Sequence, residues 1–75
     1  MMNKTFLLAD EETLDVQAVL LVKFDTDLEN LKEKAKAIKT KVQNEMEEWN
    51  YSNVLEILLE EDEVIAEVPF GVLYL

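Results

Sequence analysis

The first third of the chain predicts two β-strands joined by a polar connection. Residues 5–9 form a short apolar run, and residues 16–24 are rich in β-branched and large apolar residues, with Lys23 as the only charge. Residues 10–15 lie between them and predict a turn or loop. Because the second run is apolar at nearly every position, we expect it to be a central strand or to be covered on both faces. We expect the two strands to pair antiparallel.

A long amphipathic helix is predicted next. Thr26 and Glu29 have the spacing of a capping box, so the helix should begin at Thr26. A helix of about 23 residues would be roughly 34 Å long, with Asn50 as its C-cap. It should therefore overhang the strands or pack on another helix. Its apolar residues recur three or four positions apart, on one face, at Leu28, Leu31, Ala35, Ile38, Val42, Met46 and Trp49.

Residues 52–61 fit two patterns. Alternate apolar positions, as at Leu55 and Ile57, indicate a strand, whereas Val54 and Leu58 share one side of a helix. Both alternatives satisfy the apolar periodicity, so local signals must decide between them.

Two local signals favour the helix. Ser52 or Asn53 can serve as its N-cap, and Glu56 has capping-box spacing from Asn53. A strand would have to turn within residues 60–63, which contain neither glycine nor asparagine. We therefore predict a short second helix over residues 52–61.

The last part of the chain predicts a third strand over residues 64–68. Pro69 then marks an edge or a break, and Gly71 a bulge before residues 72–75. The element order is β-β-α-α-β. The predicted fold class is α+β, a small single domain over residues 1–75 in which a two- to three-stranded, mainly antiparallel sheet packs on one long helix.

The charge distribution bears on partners more than on fold. The chain has 17 acidic residues and seven lysines, for a net charge of −10. Five lysines lie between positions 32 and 41, none follows Lys41, and nine carboxylates do. Because an excess of negative charge attracts positively charged partners and repels negatively charged ones, we expect the acidic half to bind a basic protein surface. Since 49% of the residues are apolar, the charge does not predict disorder.

Most catalytic residue types are missing. The chain has no histidine and no cysteine, which excludes the common general base, the thiol nucleophile and thiolate metal sites. Ser52 is the only serine and is explained as a cap, and Gly71 is the only glycine, so there is no phosphate-cradling loop. The acidic clusters at 10–15 and 60–63 lack the calcium-loop pattern and are typical of solvated turns. We predict no enzyme activity, no cofactor and no metal ion.

Nucleic acid and membranes are not the expected partners. Five helix lysines could displace counterions from a nucleic acid, but the net charge and the absence of arginine oppose such binding. Glu29–Lys32 and Glu33–Lys36 pairs would explain them as a solvated helix face. The longest uncharged apolar run, residues 18–22, is too short to cross a membrane. We expect no targeting segment and a cytoplasmic protein. Lysine in place of arginine is typical of AT-rich bacteria and their phages.

Two functions fit these observations. The leading hypothesis is a small acidic protein-binding module, without enzyme activity, that docks on a basic surface, for example as a charge-mimic inhibitor of a nucleic-acid-binding protein. The alternative is a homo-oligomeric assembly module, in the simplest case a homodimer, held by the long helix or the C-terminal strand. The candidate interface residues are Glu45, Glu48, Trp49, Tyr51, Glu56, Glu60, Glu61, Asp62, Glu63, Phe70 and Tyr74.

Overall fold

A computed structural model describes residues 2–73 and 75, and its elements follow the predicted order. The three strands are antiparallel and lie in the order β1-β2-β3, so β2 is central as predicted. The α+β class and the helical state of the segment near residue 52 are confirmed. The elements are β1 (Lys4–Ala9), β2 (Val16–Val22), α1 (Leu28–Glu45), α2 (Tyr51–Leu58) and β3 (Val64–Val68).

Both helices pack on one face of the sheet, which we call the inner face. The register pairs Phe6 with Leu20, and Val22 with both Lys4 and Val64, so these side chains share that face. Each Leu or Val that becomes fully buried stabilises the fold by roughly 1.5–3 kcal/mol. Strands and helices contribute to a single core cluster of Leu20, Val22, Leu31, Ala35, Val42, Val54, Leu58 and Val64.

The opposite face of the sheet, here called the outer face, carries two cross-strand rows. Leu7, Val19 and Val68 form one row, and Thr5, Leu21 and Ala66 form the other. None of them belongs to the core cluster. The described chain measures only 18 Å across its shortest dimension, as expected of one sheet layer under one helix layer. The outer face is therefore left without a covering layer by the described residues.

A bulge in β3 decides which of its residues join the outer face. Val22 pairs with Val64, whereas Leu21 pairs with Ala66, so Ile65 is an extra residue in β3. Without it Val64 and Ala66 would share a face, because side chains alternate along a strand. The bulge turns Ala66 outward instead.

Helix α1 begins differently from the prediction. Its N-cap is Asp27, whose Oδ1 accepts hydrogen bonds from the backbone N–H groups of Glu29 (3.1 Å) and Asn30 (3.2 Å). The predicted capping box between Thr26 and Glu29 is wrong. The N–H of Thr26 donates to the carbonyl of Lys23 in a turn, and the Thr26 side chain is buried rather than turned towards the helix. The same turn ends β2 at Val22, before the predicted position 24.

Helix α1 also ends earlier than predicted. It has 18 residues, corresponding to roughly 27 Å, and stops where Met46 adopts extended backbone angles (φ −128°, ψ 128°). The predicted continuation to Trp49 is wrong. Its last turn has no basic residue, and Glu45, Glu47 and Glu48 place negative charge where the helix dipole is also negative.

Asn50 caps the start of α2 rather than the end of α1. Its Oδ1 accepts from the N–H groups of Ser52 (2.9 Å) and Asn53 (3.3 Å), and Asn53 Oδ1 accepts from the N–H of Asn50 (2.9 Å). This reciprocal capping box starts α2 at Tyr51, so the predicted cap at Ser52 or Asn53 is wrong. Residues 69–73 and 75 belong to no strand, so the predicted bulge at Gly71 is not present.

Candidate interaction surfaces

Tyr51 connects α2 to the β1–β2 turn, and Trp49 packs against Tyr51. The Tyr51 hydroxyl donates to Asp10 Oδ2 (2.7 Å), and the two aromatic rings meet edge to face with centroids 5.2 Å apart. Lys39 Nζ lies 5.8 Å from each ring centroid, within the range of a cation–π contact. We call Asp10, Lys39, Trp49 and Tyr51 the aromatic corner. Both rings are half-buried, so much of their surface is used inside the molecule.

The polar contacts of the aromatic corner shift two pKa values in opposite directions. Burial, followed by the hydrogen bond to Asp10, raises the pKa of Tyr51 to about 12. The backbone N–H of Thr13, followed by the Tyr51 hydroxyl, lowers the pKa of Asp10 below 3.8. Asp10 Oδ1 accepts from the N–H groups of Glu12 (2.8 Å) and Thr13 (3.0 Å). Asp10 is therefore a structural carboxylate of the turn and not a free charge.

Glu61 and Glu63 share an ion pair with a lysine from the other half of the chain. Lys34 Nζ lies 3.5 Å from Glu61 Oε2 and donates a hydrogen bond to Glu63 Oε1. The hydrogen bond raises the pKa of Lys34 and lowers that of Glu63. We call these three residues the Lys34 cluster. The acidic stretch lacks bases in sequence, but the fold supplies one, so the Lys34 cluster presents a charge of −1 to a partner where the two carboxylates alone would present −2.

The remaining candidate carboxylates face solvent. Glu56 is exposed on α2 and Glu60 is exposed in the turn that follows it, and no lysine lies within 4.0 Å of either among the described residues. Phe70 follows β3 and is 43% exposed. Tyr74 lies outside the described residues. The exposed carboxylates of the candidate set are Glu45, Glu48, Glu56, Glu60 and Asp62.

The sequence prediction missed the outer face as a surface. An antiparallel sheet with one solvated face normally alternates apolar and polar residues. Here the solvated rows are apolar except for Thr5, Leu7 is 56% exposed, and Val19, Leu21 and Val68 are half-buried. The available signal was that β2 is apolar at nearly every position. The core covers only one face of this central strand, so its apolar residues on the other face required a separate explanation.

A groove between β1 and α1 was also missed. It encloses about 240 Å³, and we call it the lysine groove. The expected Glu29–Lys32 and Glu33–Lys36 pairs do not form among the described residues. The lysines instead share the lining of the groove, which comprises Phe6, Leu7, Leu8, Ala9, Glu11, Lys32, Ala35, Lys36, Lys39, Tyr51 and Val54.

The described residues contain no group of three or more carboxylates placed to hold a metal ion. In the same part of the chain, no helix has the length and apolarity needed to span a membrane. Comparison with known proteins found no matching family model, no similar curated protein and no similar solved structure.

Proposed function

We propose that the chain is a small protein-binding module without enzyme activity, and that the outer face of its sheet makes the contact. The observation that carries this proposal is the exposed pair of apolar rows on that face. Apolar patches of this kind, rimmed by polar residues, mark interaction sites in small domains. A core of Leu7, Val19, Leu21 and Val68 has the composition expected at the centre of an interface, where charged residues are depleted.

The chemistry of the partner is proposed from the charge. The net charge of −10 favours a basic protein surface, because complementary potentials speed encounter and suppress wrong partners. A nucleic-acid-binding protein is the partner class that presents such a surface for its function. Inhibition of that protein by charge mimicry is therefore our proposal for the biological role. The cytoplasmic location stays a prediction.

The test is quantitative affinity capture with the tagged full chain from an extract of its host. The variant Leu21→Thr/Val68→Thr places β-branched threonine, a good strand former, in both strands and makes the outer face polar. We expect it to lose most of the captured partner. The control is Leu14→Asn, which replaces an exposed leucine of the β1–β2 turn. Equal recovery by the outer-face variant, with its fold intact by circular dichroism, would contradict the proposal.

The proposed charge of the partner is tested separately in the same extract. Glu56→Gln/Glu60→Gln removes two exposed charges in and just after α2, and Glu12→Gln/Glu33→Gln removes two exposed charges elsewhere. Neither pair belongs to the rows of the outer face, so we expect both variants to weaken capture slightly and to a similar extent through the net charge, and high salt to weaken capture by wild type. Capture that is indifferent to salt and to both variants would leave the apolar contact but refute the basic partner.

A homodimer is the second candidate, because the outer face carries no charge in either row and is able to stack on a copy of itself. Sedimentation equilibrium at micromolar concentration distinguishes the two functions. A dimer that Leu21→Thr/Val68→Thr dissociates would favour assembly, and a wild-type monomer would exclude it.

A further inference from the structure

A second surface, separate from the outer face, has the features of a peptide-binding site. We propose that the lysine groove binds an extended acidic segment of another protein, which adds to the sheet as a fourth strand beside β1. The proposal rests on three observations about this groove: an open strand edge, a matching row of lysines and an apolar floor.

The open edge is that of β1. The strand order is β1-β2-β3, so β1 pairs with a neighbour on one side only. Every second residue of an edge strand directs its N–H and C=O away from the sheet, where an extended peptide can pair with them. The one charge in β1 is Lys4 at its first position, whose Nζ donates to the Thr26 carbonyl, and residues 5–9 carry neither a charge nor a proline, the usual means of blocking an edge. β3, the other edge, has Glu67 within it and Pro69 directly after it.

The lysines lie along the opposite wall at a spacing that suits a strand. Lys32, Lys36 and Lys39 share one stripe of α1, and the rise from Lys32 to Lys36 is roughly 6 Å. Side chains on one face of an extended peptide repeat every two residues, at roughly 6.6 Å. Carboxylates at alternate positions of a peptide would therefore meet successive lysines. The two walls also have similar lengths, roughly 10 Å for both residues 6–9 and residues 32–39.

The floor of the groove is apolar. The lining of the groove carries more lysines than carboxylates, unlike the chain as a whole. Ala35 and Val54 are buried beneath it, which leaves room for small side chains of the bound segment. Three lysines and one carboxylate, Glu11, line the groove of a chain whose net charge is −10. An acidic ligand is repelled by most of the surface and attracted here, so the field directs it to this groove.

The experiment uses the full ¹⁵N-labelled chain and three synthetic hexapeptides with blocked ends. The acidic probe is Thr-Glu-Val-Glu-Thr-Glu, the second probe has Lys for each Glu, and the third has Pro in place of Val. The proline probe keeps the charge but has lost a backbone donor and resists a regular strand. Dodecanoate, an anion with an apolar tail, is the fourth probe. Amide shifts report both location and affinity.

We expect the acidic probe to shift the amides of residues 6–9 and 32–39, and to bind at least about tenfold more tightly than the lysine or proline probe. Lys32→Glu/Lys36→Glu should weaken the acidic probe about tenfold. Lys23→Glu/Lys41→Glu, with the same charge change on exposed lysines outside the groove, should weaken it by under about twofold.

Three outcomes would overturn the proposal. Equal binding of the acidic and proline probes would show that the strand edge is not used. Shifts outside the groove, or none at millimolar peptide, would remove the site. Dodecanoate binding in the groove more tightly than the acidic probe would assign it to an anionic amphiphile instead of a peptide. None of these outcomes bears on the outer face.

Discussion

The Thr26 hydroxyl is a buried polar group whose removal should stabilise the protein. Thr26 is 5% exposed, and its Oγ1 has no hydrogen-bond partner among the described residues. The backbone groups of Thr26 are satisfied, since its N–H donates to the Lys23 carbonyl and its carbonyl accepts from Lys4 Nζ at 3.1 Å. Thr26→Val keeps the β-branched shape and replaces the unpaired hydroxyl with a methyl group.

The magnitude follows from the cost of leaving a polar group unpaired. An unsatisfied buried donor or acceptor costs about 1–3 kcal/mol, so we expect Thr26→Val to raise the free energy of unfolding by about 1 kcal/mol or more. In a domain of this size about 1 kcal/mol raises Tm by roughly 4–8 °C. Urea denaturation monitored by circular dichroism measures the free energy, and a thermal scan measures Tm.

Thr40→Val is the matched control. Thr40 is exposed, and its Oγ1 donates to the Lys36 carbonyl one turn earlier at 3.1 Å. We expect this variant to be neutral or slightly less stable. If Thr26→Val unfolds at the same or a lower urea concentration than wild type, the hydroxyl has a partner and the reasoning fails.

Four further predictions concern the turns and the aromatic corner. Asn50→Ala should cost about 1 kcal/mol in urea denaturation, because it removes the side chain that accepts from the N–H groups of Ser52 and Asn53, whereas Asn44→Ala at an exposed position in the last turn of α1 should not destabilise. Leu14→Asn should raise the free energy of unfolding by about 1 kcal/mol, since Leu14 has φ 64°, which asparagine tolerates better; an unchanged value would argue against a strained turn. The folded-state pKa of Tyr51 lies above its ordinary value, so its stabilisation is complete below pH 10.0 and is lost as pH rises through about 12. Alkaline unfolding of wild type and Tyr51→Phe should therefore converge, and parallel curves would refute the shift. The folded-state pKa of Asp10 is lowered, so the stability deficit of Asp10→Asn should shrink as pH falls below 3.8, and a deficit that persists in acid would contradict it.

The order of the elements could be predicted because their apolar periodicities are long and their connections polar. Helix ends were harder to predict, because several residues near each end can cap. Asp27 accepts the Glu29 N–H that was assigned to Thr26, together with the Asn30 N–H, and Asn50, expected at the end of α1, caps the start of α2. Which residue caps α1 depends on the turn that buries Thr26, and this burial is a tertiary contact.

The candidate sites depended on contacts between distant parts of the chain. Lys34 pairs with Glu61 and Glu63, and the Tyr51 hydroxyl donates to Asp10, over separations that no local pattern encodes. The bulge at Ile65 shifts the register by one residue and so changes which side chains of β3 face outward. Sequence periodicity alone assigned the lysines to solvent and left the outer face unrecognised.

Methyl NMR of the full chain with the captured partner tests the central claim most directly. Val19, Leu21 and Val68 lie on the outer face, whereas Leu20 and Val22 alternate with them in the core. We expect the partner to shift or broaden the methyl signals of Val19, Leu21 and Val68. The methyl signals of Leu20 and Val22 should stay near their positions in the free protein. Unperturbed outer-face methyl signals in a saturated complex would contradict it.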